Sequence, residues 1–351
     1  GLADNTILVF MTDNGTAGGV KGKRGYDGNM RGKKNSEYEG GHRVPFIIRW
    51  PGGKIEAGKS IKQLTAHIDI LPTMIELCDL KAPKIAFDGT SLSNLLYSDE
   101  KVWPNRSLVV ETQRVVDPIK WRKCSVMTDR WRLVNGKELF ELKDDAKQTN
   151  DVAAQHPEVV KRLRADYDKF WNDVSREHKL TSYMVIGSER SPLVSLSSHD
   201  WLLATLPPWN QSHVKGGKVA VPSHWAIEVE RDGDYEISLR RWPVEADKGI
   251  NDGTYGKAFS YKKAQLRIGG VDKIMDIPAG AKEVTFKVTL KKGITKLAPL
   301  FIAGKFKATP YYAYVTHKAK LGWQTPQGMG VPIYDPSYGR NGKGEKNTAS
   351  K

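Results

Sequence analysis

The sequence predicts an α/β domain, then a small α+β subdomain, then an all-β sandwich. Three observations predict it. An unbroken apolar run, Ile7–Met11, stops abruptly at Asp13-Asn-Gly15; strand-like runs and one amphipathic helix fill the stretch between about 105 and 175; and beyond 198 apolar residues alternate cleanly with polar ones. A continuous apolar run is the pattern of a strand covered on both faces, as in a parallel sheet, whereas alternation marks strands with one solvated face.

The first element places chemistry at its end. Ligands of open α/β sheets bind beyond the carboxyl ends of the strands, and here that end carries a carboxylate, Asp13, beside a carboxamide, Asn14. Such oxygens suit a hard cation such as Ca²⁺ or Mg²⁺. The plain alternative for Asp-Asn-Gly is turn chemistry. Next come a short strand, Phe46-Ile-Ile-Arg-Trp50, closed by Pro51-Gly-Gly53, and a helix through Leu71, Met74, Ile75 and Cys78, with Asp69 as its cap and Pro72 in its first turn. His67, just ahead of that cap, reads as a packing residue.

Between 105 and 175, Ser107–Glu111, Cys124–Met127 and Trp131–Val134 read as strands, and Asn135-Gly136 turns the chain into Leu139–Leu142. Pro157 opens a helix whose Val159, Leu163, Tyr167, Phe170 and Trp171 recur at helical spacing and are expected to cover the sheet. Asp144, Asp145 and Asp151 read as turn and cap residues. A linker is expected over 177–198. The alternation then runs through Trp225, Ile227 and Val229, through Tyr235, Ile237 and Leu239, through Val284, Phe286, Val288 and Leu290, and last through Tyr312 and Tyr314. Trp201, Trp209, Trp242 and Trp323 suit either core packing or stacking on sugar rings, with packing the first expectation. The expected domains are 1–104, 105–178 and 190–318, with a Gly-, Lys- and Asn-rich tail at 339–351 expected to be disordered.

Three blocks agree in order and spacing with one family: the strand ending in Asp13-Asn-Gly15, the basic segment Met30–Lys34 closing on Glu39-Gly-Gly-His-Arg-Val-Pro45, and His67-Ile-Asp-Ile-Leu-Pro-Thr-Met74. A fourth is Thr128-Asp-Arg-Trp-Arg-Leu133 with Leu139–Leu142. On these blocks the chain, to about Trp171, resembles the carboxyl-terminal half of type I sulfatases of the alkaline phosphatase superfamily. The resemblance implies that Asp13 and Asn14 are ligands of an active-site cation, usually Ca²⁺ with Mg²⁺ as the alternative. It implies that Lys34 binds a sulfate oxygen and stabilises charge, with Lys33 and Arg31 as secondary substrate-binding candidates, and that Glu39, Gly40 and Gly41 shape the site. The chemistry agrees: sulfate ester cleavage puts negative charge on oxygen, which a dication and a fixed ammonium stabilise. The segment Arg240-Arg-Trp-Pro243 resembles a module appended to some bacterial sulfatases.

Two parts of the family pattern are not found. Its nucleophile is a formylglycine made from the Cys, or a Ser, of a Cys-x-Pro-x-Arg segment, and neither Cys78 nor Cys124 begins one; both cysteines read as small buried hydrophobes. Calcium takes about six to eight oxygens, and this stretch offers two. The expectation is therefore an amino-terminally incomplete sulfatase, inactive alone, whose parent is a periplasmic or secreted hydrolase of sulfate esters, most plausibly on sulfated carbohydrate. The alternatives are a non-catalytic carbohydrate-binding protein with a relic sulfatase segment, or a phosphatase or phosphonate hydrolase of the same superfamily.

The net charge of +15 favours anionic partners. Nucleic acid is not expected, because the basic residues are scattered and no binding motif occurs. A local cluster of Lys21, Lys23, Arg24, Arg31, Lys33 and Lys34 would border the sulfate pocket. No membrane span is expected, and oligomeric state is left open.

Overall fold

The computed structural model describes residues 2–17, 25–82, 84–97, 103–113, 115, 117–202, 207–208, 210–217 and 222–318. The chain forms two compact units, Gly1–Leu180 and Thr181–Lys351.

The first unit begins with β1 (Leu8–Met11), a one-turn helix α1 (Glu39–His42) and β2 (Phe46–Arg49). β1 pairs with β2 antiparallel, Leu8 opposite Arg49 and Met11 opposite Phe46. Burial of the Ile7–Met11 run is not seen: Leu8 and Phe10 are about 60% exposed. β2 is the only strand paired with β1 among the described residues, and the described residues leave the face of Leu8 and Phe10 largely uncovered. The pairing is also antiparallel rather than part of a parallel sheet.

A 3₁₀ turn at His67–Asp69 leads into α2 (Ile70–Leu77), followed by α3 (Ser93–Tyr97). Leu92, Leu95 and Leu96 are buried here against Phe46, Ile48 and Leu77. Asp69 stands at the N-cap position of α2, but its side chain makes no capping hydrogen bond to that helix. Its carboxylate is fully buried, receives both terminal nitrogens of Arg106 at 2.8 and 2.5 Å, and accepts the N–H groups of Ala66 and Thr90. A forked guanidinium matches a carboxylate geometrically, so one side chain ties three segments together. Cys78, expected to be buried, is exposed, because it falls at the end of α2, past the buried turn around Thr73; Cys124 is buried, and both are free thiols.

The rest of the unit is the sheet β3 (Leu108–Glu111), β4 (Cys124–Met127), β5 (Trp131–Val134), β6 (Glu138–Glu141), antiparallel in chain order. Asn135 and Gly136 both have φ near +50 to +70°, the requirement of a tight hairpin turn that Asn-Gly meets at least cost. Helix α4 (Pro157–Val174) buries Leu163 and Tyr167 against Cys124, Val126, Leu133 and Leu139. Asp145 accepts the N–H groups of Thr149 and Asn150, and Asp151 those of Leu139 and Ala153; both are turn acceptors, as read from sequence.

The second unit is almost all strand. Its elements are β7 (Met184–Ile186), β8 (Leu193–Ser197), the short helix α5 (Gln211–Gly216), β9 (Trp225–Val229), β10 (Gly233–Arg240), β11 (Lys263–Ile268), β12 (Val271–Asp276), β13 (Val284–Leu290), β14 (Gly293–Leu297), β15 (Leu300–Ala303), β16 (Phe306–Ala308) and β17 (Tyr312–His317). They form sheets in the orders β13-β10-β17-β8, β12-β11-β15-β16 and β14-β9-β7. Ile237, Leu239 and Phe286 from the first share one core with Ala264, Leu266 and Phe301 from the second and Trp225, Ile227 and Val229 from the third.

Two readings change in this unit. The expected linker at 177–198 holds β7, paired parallel with β9, and β8, paired with β17; both strands are short and polar-flanked, so periodicity alone does not reveal them. On β17 the buried set is Ala313, Val315 and His317, one residue out of phase with Tyr312 and Tyr314, which are half-buried. Burial raises the hydroxyls of both tyrosines, and that of Tyr314 accepts the N–H of Val244. Trp201 and Trp242 are core residues, 4% and 5% exposed. Trp209, Trp323 and the 339–351 tail lie outside the described residues. Arg241 is interior too: it stacks between Trp242 and Phe259, 4.5 Å from each ring, and donates to the carbonyls of Val214 and Lys215 at the end of α5. The Val214 carbonyl also accepts the N–H of the C-cap Gly217, and that of Lys215 the N–H of Lys257.

Candidate active site

The sequence builds one wall from two glycine-rich segments. Gly15 donates its N–H to the carbonyl of Gly41 at 2.9 Å, and Lys34 donates its N–H to the carbonyl of Thr16 at 3.0 Å. The backbones lie so close that a Cβ on Gly15 would stand 1.9 Å from the Gly40 oxygen, and one on Gly41 would stand 2.0 Å from the Ser36 oxygen. Glycine is required there for closeness. The loop with Asp13 and Asn14 is thereby fixed against the segment with Lys34, and all three line a cavity of about 1990 Å³. Asp13 and Lys34 are exposed; Asn14 is half-buried.

A staple behind this wall fixes α1 to the four-stranded sheet. Glu39 is 1% exposed and accepts from Arg132 Nε at 2.5 Å, with His42 Nε2 at 3.3 Å and Arg43 Nη1 at 3.6 Å from its oxygens. Its own N–H donates to Gln148 Oε1. Burial alone would raise the Glu39 carboxyl, but the hydrogen bond from His42 and the charge of Arg132 outweigh it and hold the group down to about 2. Arg132 is the one charged residue of β5, and a charge inside an otherwise apolar strand is the sequence signal that could have exposed this pair.

Arg31 is not brought to the cavity. Its guanidinium lies 3.7 Å from the Tyr38 ring centre and donates to the Gln148 carbonyl and the Tyr38 hydroxyl. Tyr38 in turn donates to Glu138, and burial together with that carboxylate pushes its hydroxyl up to about 12. Lys33 does not line the cavity either; its carbonyl caps a turn by accepting from Ser36. Lys21, Lys23 and Arg24 lie outside the described residues.

His67 lines the cavity with Asp13, Asn14 and Lys34, and its Nε2 is 2.9 Å from the carbonyl of Thr12. The cavity lining holds eight lysines and arginines against five aspartates and glutamates, which favours an anionic guest. As a metal centre the donor set is right in kind and short in number. Asp13 and Asn14 offer hard oxygens, but no group of three or more His, Cys, Asp or Glu residues able to hold a metal occurs among the described residues.

The chain is similar to known sulfatases. The sulfatase family model matches residues 1–80. The chain is 32% identical over 188 residues to an N-acetylgalactosamine-6-O-sulfatase of Bacteroides thetaiotaomicron, covering 46% of this chain and 35% of that protein. It is 36% identical over 108 residues to human arylsulfatase A, covering 31% of this chain and 21% of the relative. Among solved structures, Ps i-CgsB is similar at 25% identity and a TM-score of 0.42, over 48% of this chain and 37% of that one. The chain thus spans between about a fifth and a third of the length of these curated relatives.

Proposed function

We propose that this chain, whose residues 1–80 match the sulfatase family model, is a carboxyl-terminal portion of a type I sulfatase and supplies one wall of an active site that hydrolyses sulfate esters, those of sulfated glycans first. The observation that carries this reading is the pinned wall itself: Gly15 N–H to Gly41 O and Lys34 N–H to Thr16 O hold Asp13, Asn14 and Lys34 to a common cavity.

Within it, Lys34 binds a non-bridging sulfate oxygen and stabilises the charge that builds there as the ester breaks. Asp13 and Asn14 contribute two oxygens of a hard-cation sphere, Ca²⁺ or Mg²⁺, completed by groups outside the described residues. Such a cation, when bound, neutralises charge on the sulfate. The nucleophile, a formylglycine in this family, is likewise contributed from outside the described residues. Lys33 and Arg31 keep secondary roles at most, Arg31 as a brace for Tyr38.

The division into 1–104, 105–178 and a sandwich at 190–318 belongs to the same proposal, with the sandwich as an accessory module. A periplasmic or secreted location fits it, and no described helix is long and apolar enough to cross a membrane. The test is turnover by the full-length protein that contains this chain, on a panel of sulfated sugars, aryl sulfate and phosphate esters. Sulfate release that falls at least about a hundredfold in Lys34→Ala supports the reading. Turnover of phosphate esters alone, or of none, overturns it.

A further inference from the structure

His67 combines a fixed tautomer, a rigid mount and a place in the cavity. A carbonyl can only accept, so the 2.9 Å contact with the Thr12 oxygen assigns the hydrogen to Nε2, and in the neutral ring the lone pair lies on Nδ1. Among the described residues no group hydrogen-bonds that nitrogen. The mount is stiff: two residues on, Asp69 is clamped by Arg106, Ala66 and Thr90, and Gly89 packs so tightly on this turn that a Cβ would meet the Ile68 oxygen at 1.9 Å. Three carboxylates of the cavity already hold protein donors. Glu39 holds Arg132, Glu111 holds the Tyr167 hydroxyl, and Asp129 holds the Leu64 N–H.

We propose that His67 is a specificity-determining residue whose Nδ1 accepts a hydrogen bond from a substrate hydroxyl next to the sulfate ester. It thereby favours sulfated sugars over sulfate esters that have no neighbouring hydroxyl. This rests on the hydrolase reading above. The chemistry is complementary, because lysine and arginine around the cavity only donate, while a sugar hydroxyl needs an acceptor as well. The same ring steadies the strand end, since Thr12 immediately precedes Asp13.

Glutamine places a donor where His Nε2 lies and leaves no ring Nδ1, so His67→Gln separates the two contacts and His67→Ala removes both. In the full-length protein, His67→Gln lowers the ratio of kcat/KM for a sulfated monosaccharide to that for 4-nitrophenyl sulfate by about tenfold, the worth of one hydrogen bond. An unchanged ratio, with both rates falling together or neither falling, overturns the proposal and leaves His67 a brace. Nitrogen-15 NMR of the His67 ring gives an independent test, needing no turnover. The Nε2–H tautomer, with an Nδ1 resonance that shifts on adding the sulfated monosaccharide, supports the proposal; the Nδ1–H tautomer, or no shift at saturating sugar, sinks it. Loss of all wild-type sulfate ester turnover counts against the hydrolase reading instead, and the NMR result still decides His67.

Discussion

Glu39, almost fully buried, accepts a 2.5 Å hydrogen bond from Nε of Arg132, and this pair joins the one-turn helix α1 to the middle of the four-stranded sheet. The sequence separation is 93 residues, so the contact closes the unit on itself. Removing one partner of a buried pair leaves an uncompensated charge. Arg132→Met is therefore expected to cost roughly 3–5 kcal/mol of stability, seen as a lower urea midpoint at pH 7. A loss below about 1 kcal/mol would show that the pair behaves like an exposed one.

Acid should dissolve the same contact. The folded Glu39 carboxyl lies near 2 against an ordinary 4.5, so its contribution is complete above about pH 4.5 and disappears as the pH falls towards 2. The shift corresponds to about 3 kcal/mol. Unfolding curves between pH 5 and about pH 2 should show this slope in the wild type, and Glu39→Gln should flatten it. An identical slope in the variant would assign the acid sensitivity elsewhere, with Asp69 next in line, because its carboxyl is also held low: burial opposes this, and the hydrogen bonds from Arg106, Thr90 and Ala66 together with the Arg106 charge outweigh it.

Gly15→Ala tests the glycine wall. With the Gly40 oxygen 1.9 Å from the new Cβ, backbone must move, and the expected cost is about 1–3 kcal/mol. Because the displaced loop carries Asp13 and Asn14, sulfate ester turnover by the full-length protein should fall more than stability alone explains. Wild-type turnover in a folded Gly15→Ala protein would remove the wall from the mechanism.

Asp13→Ala should weaken Ca²⁺ affinity and sulfate ester turnover together in the full-length protein. Isothermal titration with Ca²⁺ beside the rate assay distinguishes the cases. Normal calcium binding with lost activity would make Asp13 a substrate contact rather than a ligand.

A full-length protein truncated after Leu180, the end of the first compact unit, should retain action on 4-nitrophenyl sulfate and lose efficiency on sulfated polysaccharide. Equal losses on both substrates would make the second unit a structural support.

Much of the fold was legible because local chemistry dictates it. Asn135-Gly136 can hardly do anything but turn a hairpin, and the spacing of Leu163 and Tyr167 puts both on one helical face. The strands β7 and β8 escaped notice because each is only three to five residues long, too short for a period to be read. The phase of β17 escaped because two tyrosines outweigh an alanine in any hydrophobic count. Within the site, Asp13, Asn14 and Lys34 were legible as motif residues. Gln148 and Arg106 were not, since each acts across dozens of intervening residues, and for Arg132 only the charge inside an apolar strand was visible, not its partner.

By itself the sequence determined which side chains are available: hard oxygens at 13 and 14, an ammonium at 34, glycines where backbones had to meet, and a basic balance that draws anions. Only tertiary structure decided which of them share a cavity. Arg31 and Lys34 are equally cationic and three residues apart, yet Arg31 stacks on Tyr38 while Lys34 lines the cavity. The physical reason is that a charge settles wherever the folded chain leaves it a partner or solvent, and partners across the fold are set by packing rather than by distance along the chain.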